Sequence, residues 1–202
     1  MTVTAITYDR AMGRWEPDAR GRLAKAAMEL YAEQGFEQTT VAEIAARAGL
    51  TERTFFRHFA DKREVLFYGM ERLRDLLARA VADAPASATA MDAVSAAFEA
   101  AAAMFQENPE RVRLRGAIVS ANPELREREL IKLAAMASAV AGALRDRGIP
   151  EPAASLAAET GIAVFKVAFA RWVSDPGQPD LPGILRESMT ELKATLADRA
   201  PV

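Results

Sequence analysis

The chain has 202 residues, half of them hydrophobic and 27% charged, with a formal net charge of −2. That composition suits one large domain or two small ones, and it gives no global positive field to draw a polyanion onto the whole surface. There are no cysteines and one histidine, which excludes disulfides, thiolate zinc sites, cysteine nucleophiles and histidine-rich metal sites. Asp/Glu chemistry stays open. The opening "MTVTAITYDRAMGRW" has no basic start followed by an apolar run, so no signal peptide is read. The longest charge-free apolar run, Leu133 to Leu144, is shorter than the roughly 20 residues that span a bilayer. A cytoplasmic protein without a membrane partner is expected.

In chain order, every periodic segment has the helical period. Residues 1–16 read as an unanchored arm, where Arg14 and Trp15 either reach a minor groove or pack locally. Leu23, Ala27, Leu30 and Tyr31 form the apolar face of a first helix that starts near Pro17–Asp18 and stops at Gly35. Thr40 and Glu43 make a capping box for a second, whose buried face is Val41, Ile44, Ala45 and Ala48, and Gly49 ends it. Thr51 caps a third, with Phe55 and Phe59 one turn apart. Asp61 caps a fourth, which runs through Leu66, Met70, Leu73, Leu77 and Val81 to "DAPASA".

Five more helices follow: one carrying Met91, Val94, Phe98, Ala101 and Phe105, a short one after Pro109, and three from about Pro123 to Arg147, Pro152 to Val173 and Leu181 to Asp198. No segment alternates with period two. The expected fold is all-α with about nine helices: a helix-turn-helix unit over 17–64 and a helical body over 65–202.

Two short helices joined by "AGLT", each opened by a threonine, form the helix-turn-helix pattern, although the spacing alone also fits an αα-hairpin. Residues 1–70 are electrically neutral, but Leu50–Arg63 carries +2 from Arg53, Arg57, Lys62 and Arg63 against Glu52 and Asp61. Any affinity for a polyanion must therefore be placed locally. In a major groove the start of the third helix would meet base edges. Phe55 and Phe59 anchor it from behind, leaving Thr51, Glu52, Arg53 and Phe56 as candidate base readers. Arg53 can donate twice to guanine, Glu52 can accept from cytosine N4, and Phe56 can lie on a thymine methyl. Thr40 and Lys62 stand at helix starts, where amides and the dipole favour a phosphate.

Arg20 to Phe67 resembles the DNA-binding domain of the tetracycline-repressor (TetR) family. The carrying residues are Ala26, Ala27, Leu30 and Tyr31, Gly35-Phe36, Thr39-Thr40-Val41, Glu43-Ile44-Ala45, Ala48-Gly49, Thr54, His58-Phe59 and Lys62. The resemblance covers about a quarter of the chain. It implies a homodimeric transcription regulator, usually a repressor, with three helices for a double-stranded DNA operator and six for dimerisation and a small-molecule effector. By position, Thr40, Thr54, His58 and Lys62 match the family's phosphate contacts. Thr51, Glu52, Arg53 and Phe56 match its variable reading positions. Arg53 stands where the family often has glycine, and Phe56 where it often has tyrosine, so the operator sequence cannot be copied from relatives.

In the body, Met70, Phe98, Met104, Phe105, Met136, Phe165 and Phe169 are the candidate effector pocket. No acidic pair or arginine cluster names a ligand charge, so an apolar or amphipathic effector is expected. Ala154, Ala157, Ala158, Gly161 and Phe165, with Leu185, Met189 and Leu192 of the last helix, are the candidate dimer face. Neither a cofactor nor a metal is expected. The competing functions are an all-helical small-molecule carrier or enzyme, or an activator with the same DNA-binding head. Against an enzyme stand the missing metal-ligand cluster, glycine-rich phosphate loop and nucleophile elbow.

Overall fold

The computed structural model describes residues 18–175, 177 and 180–197, and among these there are helices and no strands. The helices are α1 (Ala19–Gln34), α2 (Val41–Arg47), α3 (Glu52–His58), α4 (Lys62–Val65), α5 (Met70–Ala82), α6 (Ala90–Phe105), α7 (Pro109–Ala121), α8 (Pro123–Asp146), α9 (Ala153–Ser174) and α10 (Leu181–Ala197). The expected arm, with Arg14 and Trp15, lies outside the described residues.

Local chemistry sets most boundaries. The Asp18 carboxylate accepts from Gly21 N at 2.8 Å and caps α1. Thr40 and Glu43 exchange bonds as the expected capping box of α2. Gly49, at φ 67°, lets Leu50 N reach Ala45 O and Gly49 N reach Ala46 O, so that both trailing carbonyls are satisfied. Asn122 precedes Pro123 and takes an extended conformation, φ −116° and ψ 113°. A proline disfavours the helical region for the residue before it, which divides α7 from α8.

The fourth expected helix is divided. After the single turn of α4 the chain tightens, and Gly69, at φ 95°, turns it into α5. Left-handed backbone is open to glycine at little cost, so "FYGM" ends one helix and starts another.

Two apolar cores result. The head core comprises Leu23, Leu30, Tyr31, Phe36, Ile44, Phe55, Phe59 and the Val65–Phe67 run, closed from the far side by Ile118, Val119 and Leu125 at the α7–α8 corner. The body core packs α5 against α6 and α8, with α9 in contact with α6, α8 and α10. α9 is long and apolar enough, by length and composition, to cross a membrane. Here its Ala154, Ala168 and Trp172 are fully buried among the other body helices.

Candidate nucleic-acid interface and effector cavity

The start of α3 is presented as its sequence predicts. Phe55 is fully buried, and its ring lies 5.6 Å from that of Phe59, which is buried beside it. Thr51, Glu52 and Arg53 are exposed, and Phe56 keeps 56% of its surface in solvent. A phenylalanine so exposed is an unpaired apolar surface, held edge-on against Phe55 at 5.5 Å. The Thr51 hydroxyl accepts from Thr54 N at 3.2 Å and lies 3.1 Å from the Thr54 hydroxyl. Thr40 is exposed at the start of α2, where its hydroxyl donates to Glu43 at 2.8 Å. Hydrogen bonds from the Thr40 amide first, and then from its hydroxyl, hold the Glu43 carboxyl below the usual carboxylate range.

Two of the expected phosphate residues are turned inward. The Lys62 ammonium donates to three backbone carbonyls, Phe36 at 2.9 Å, Glu37 at 3.0 Å and Thr39 at 3.0 Å, and lies 4.7 Å from the centre of the Phe36 ring. An ammonium has three hydrogens to give, and all three are given to the head itself. The expectation that its side chain reaches a phosphate is corrected: Lys62 ties α4 to the loop between α1 and α2. His58 is half-buried, with its Nε2 out of solvent and without a hydrogen-bond partner, so that nitrogen does not face outward. The buried Tyr31 hydroxyl completes the tie by donating to Lys62 O at 2.8 Å. Burial, aided by the nearby Asp61 charge, pushes its ionisation far above the ordinary range.

α4 is also fastened to the body. Arg128 of α8 meets Asp61 at 3.0 Å and Glu64 at 3.3 Å, Lys132 meets Glu64 at 3.6 Å, and Arg63 meets Glu124 at 3.0 Å. From α7, Arg115 Nε donates to Leu66 O at 3.1 Å while Nη1 pairs with Glu129.

Behind this junction lies a cavity of about 550 Å³. Of the candidate pocket residues, Met70, Met104, Phe105, Phe165 and Phe169 line it. Phe98 and Met136 do not; each is 2% exposed inside the body core. Its upper wall is the α4–α5 turn itself, Leu66, Tyr68 and Gly69. Arg115, Arg126, Lys166 and Glu129 add charge to the lining, which the sequence reading missed. A usable signal was the glycine beside Arg115: a Cβ on Gly116 would stand 3.2 Å from Val173 Cγ2 and 3.3 Å from Phe169 Cε1. That small residue leaves room against the aromatic wall.

The expected dimer face is corrected too. Ala154, Ala157, Ala158, Gly161, Phe165, Leu185 and Met189 are buried in this chain's own core, and Leu192 packs against it. A Cβ on Gly161 would come within 2.5 Å of Val94 Cγ1 and 2.6 Å of Phe98 Cε2, so the small residues serve the close approach of α9 to α6. The outward side of α9 carries Leu156, Ala163, Val167 and Ala170 instead, with Leu156 64% and Val167 57% exposed.

Residues 23–68 match the family model "Bacterial regulatory proteins, tetR family", and residues 88–197 match the "MftR C-terminal domain". The chain belongs to the TetR family. It is a transcriptional regulator with a helix-turn-helix head and a helical C-terminal body. TcmR, an HTH-type transcriptional regulator of Streptomyces glaucescens, is 40% identical over 81 residues, which span 40% of this chain and 36% of TcmR. Thermus thermophilus FadR, a TetR-family repressor solved with lauroyl-CoA, is 25% identical with a TM-score of 0.58, over 91% of this chain and 98% of that one. SmeT, the repressor of the Stenotrophomonas maltophilia efflux pump SmeDEF, is 24% identical with a TM-score of 0.59, over 88% of both chains. A SmeT–triclosan complex aligns at 25% identity and a TM-score of 0.61, over 89% of this chain and 90% of that one.

Proposed function

We propose that this TetR-family regulator is a homodimeric repressor whose head, about residues 17–64, holds an operator until a small effector enters the cavity of the body, residues 65–202. The observation that carries this reading is the position of α4. It is tied to the head through Lys62 and to the body through Arg128 and Arg115, and the turn after it walls the cavity. An effector that prefers one setting of this turn shifts the head by that difference in affinity. The mostly apolar lining favours an apolar or amphipathic molecule, in keeping with lauroyl-CoA in FadR and triclosan in SmeT.

In this reading Thr51, Glu52, Arg53 and Phe56 face base edges. Phosphates meet Thr40, Thr54 and the amide ends of α2 and α4, with the Lys62 side chain withdrawn. The second copy covers the outward side of α9, since Leu156, Ala163, Val167 and Ala170 recur at spacings of seven, four and three along the helix, and a two-fold pair matches a palindromic site.

The test is a gel-shift series on DNA upstream of the protein's own coding region. A salt-dependent, sequence-preferring complex is expected, and its absence up to micromolar protein sinks the proposal. Arg53→Ala is expected to cost about 1–3 kcal/mol and to relax one base position.

A further inference from the structure

Arg115 stands where the cavity, the body and α4 meet. Its side chain is only 16% exposed. Nε is engaged with Leu66 O, Nη1 with Glu129, and the Phe67 ring centre lies 5.2 Å from the guanidinium carbon. Nη2 is buried without a hydrogen-bond partner, on a residue that lines the cavity. A buried donor left unmade is costly, so a turn of the guanidinium that brings Nη2 to an acceptor in the cavity is favoured.

The surrounding charge says which kind of acceptor. Arg126 and Lys166 also line the cavity, and among the described residues neither comes within 4.0 Å of a carboxylate; Arg126 donates to Ser120 O at 3.1 Å. Three cations therefore face one carboxylate, Glu129. Beyond them the wall is Phe105, Phe165 and Phe169. The lining thus joins a surplus of positive charge to an apolar, aromatic surface.

A guanidinium grips a carboxylate or phosphate best with two parallel N–H groups. Nη2 can pair with Nη1 for that purpose, or with Nε. Either choice takes a nitrogen from a present partner, Glu129 in the first case and Leu66 O in the second. We propose that the effector is an amphipathic anion whose carboxylate or phosphate is gripped by Arg115, and that the grip loosens Arg115 from Glu129 or Leu66 and so reports an occupied cavity to α4. This rests on the reading of the chain as an effector-responsive DNA-binding regulator.

The test compares decanoate, decyl phosphate and decanol, which share a chain and differ in the headgroup. In a Trp15→Phe background the remaining tryptophan is Trp172, whose ring centre lies 5.9 Å from that of the cavity residue Phe169, so its emission reports binding. At least one of the two anions is expected to bind ten or more times tighter than decanol, and which one identifies the headgroup. Arg115→Met should shrink that preference to within twofold, and Arg115→Lys, with the charge but not the fork, should fall between. Glu129→Gln, which removes the competing carboxylate, should tighten the preferred anion severalfold. The same anion should weaken operator binding at least tenfold in the unaltered protein, and operator DNA should weaken its binding by the same factor.

A decanol affinity equal to those of both anions overturns the proposal. So does a preference that survives in Arg115→Met, or no binding of any of the three. If decanol releases operator as well as the anions do, effector-responsive regulation stands and the role of Arg115 falls. If the unliganded protein binds no operator, the regulator reading falls first.

Discussion

The head and the body solve the same packing problem in different ways. The head fills its interior with large rings, Tyr31, Phe36, Phe55, Phe59 and Phe67, and ties off its loops with polar side chains that donate to backbone carbonyls. The body brings helices together through alanine and glycine, packing α9 onto α6 at Gly161, and sets Phe105, Phe165 and Phe169 around a cavity of about 550 Å³. A unit proposed to hold reading side chains in fixed register is filled without space. A unit proposed to admit a ligand needs some, and close helix approach elsewhere offsets the loss of packing.

Four experiments break or sharpen this contrast. The largest effect is expected from paired truncations. Phe55→Ala in the head should cost about 3–5 kcal/mol, read as a lowered denaturant midpoint and lost DNA binding. Phe105→Ala, which widens space that already exists, should cost less than half as much; equal costs would remove the distinction.

Next is Lys62→Met. It leaves three carbonyls of the α1–α2 loop without their donor, at a cost of about 1–3 kcal/mol, measured by chemical denaturation. Because the ammonium is spent internally, the salt dependence of operator binding should keep its slope. A slope reduced by about 1 would restore the phosphate contact.

Two glycines of the body should then respond with opposite signs in thermal melts. Gly161→Ala drives a methyl into Val94 and Phe98 and should destabilise by about 1–3 kcal/mol. A Cβ on Gly142, in α8, would meet nothing nearer than Arg145 Nη2 at 3.7 Å, so Gly142→Ala should stabilise by about 0.5–1 kcal/mol through helix propensity.

The smallest effect concerns acid. The Glu43 carboxyl is depressed below its ordinary value of 4.5 by the Thr40 amide and hydroxyl. The folded state then holds fewer protons than the unfolded one in that window. The contribution is present at neutral pH and is lost as pH falls from about the ordinary value through the folded one. Glu43→Gln should flatten the acid limb of the melting-temperature profile below about pH 4.5; an unchanged limb would assign it to other carboxylates.

What the sequence discloses is what local chemistry decides. Thr40 with Glu43, Thr51, Asp61, Gly49 and Pro123 each act within four residues of themselves, and the structure uses them where they stand. The buried and exposed sides of α3 follow from period alone. The body's failures are tertiary. Phe98 and Met136 belong to the same apolar vocabulary as Phe105 and Phe169, and only the fold decides which of them meets a void. Arg115, Glu129 and Lys166 come from three different helices, so no spacing could have gathered them. α9 misled because its small residues suited a close partner, and the partner is α6 of the same chain. The recurrence of Leu156, Ala163, Val167 and Ala170, by contrast, is legible in the sequence.

The grip of Lys62 on three carbonyls has a mechanical consequence. It makes α4 a handle fixed to a solid object: the loop it holds lies between α1 and α2, and α2 leads through Gly49 into α3. A tilt applied at α4 is then passed to that loop through three hydrogen bonds at once. In the proposed switch, such a tilt reaches α3 enlarged in displacement by the length of the lever. In the proposed dimer, whose two heads would meet major grooves about 34 Å apart, turning each handle would change that spacing.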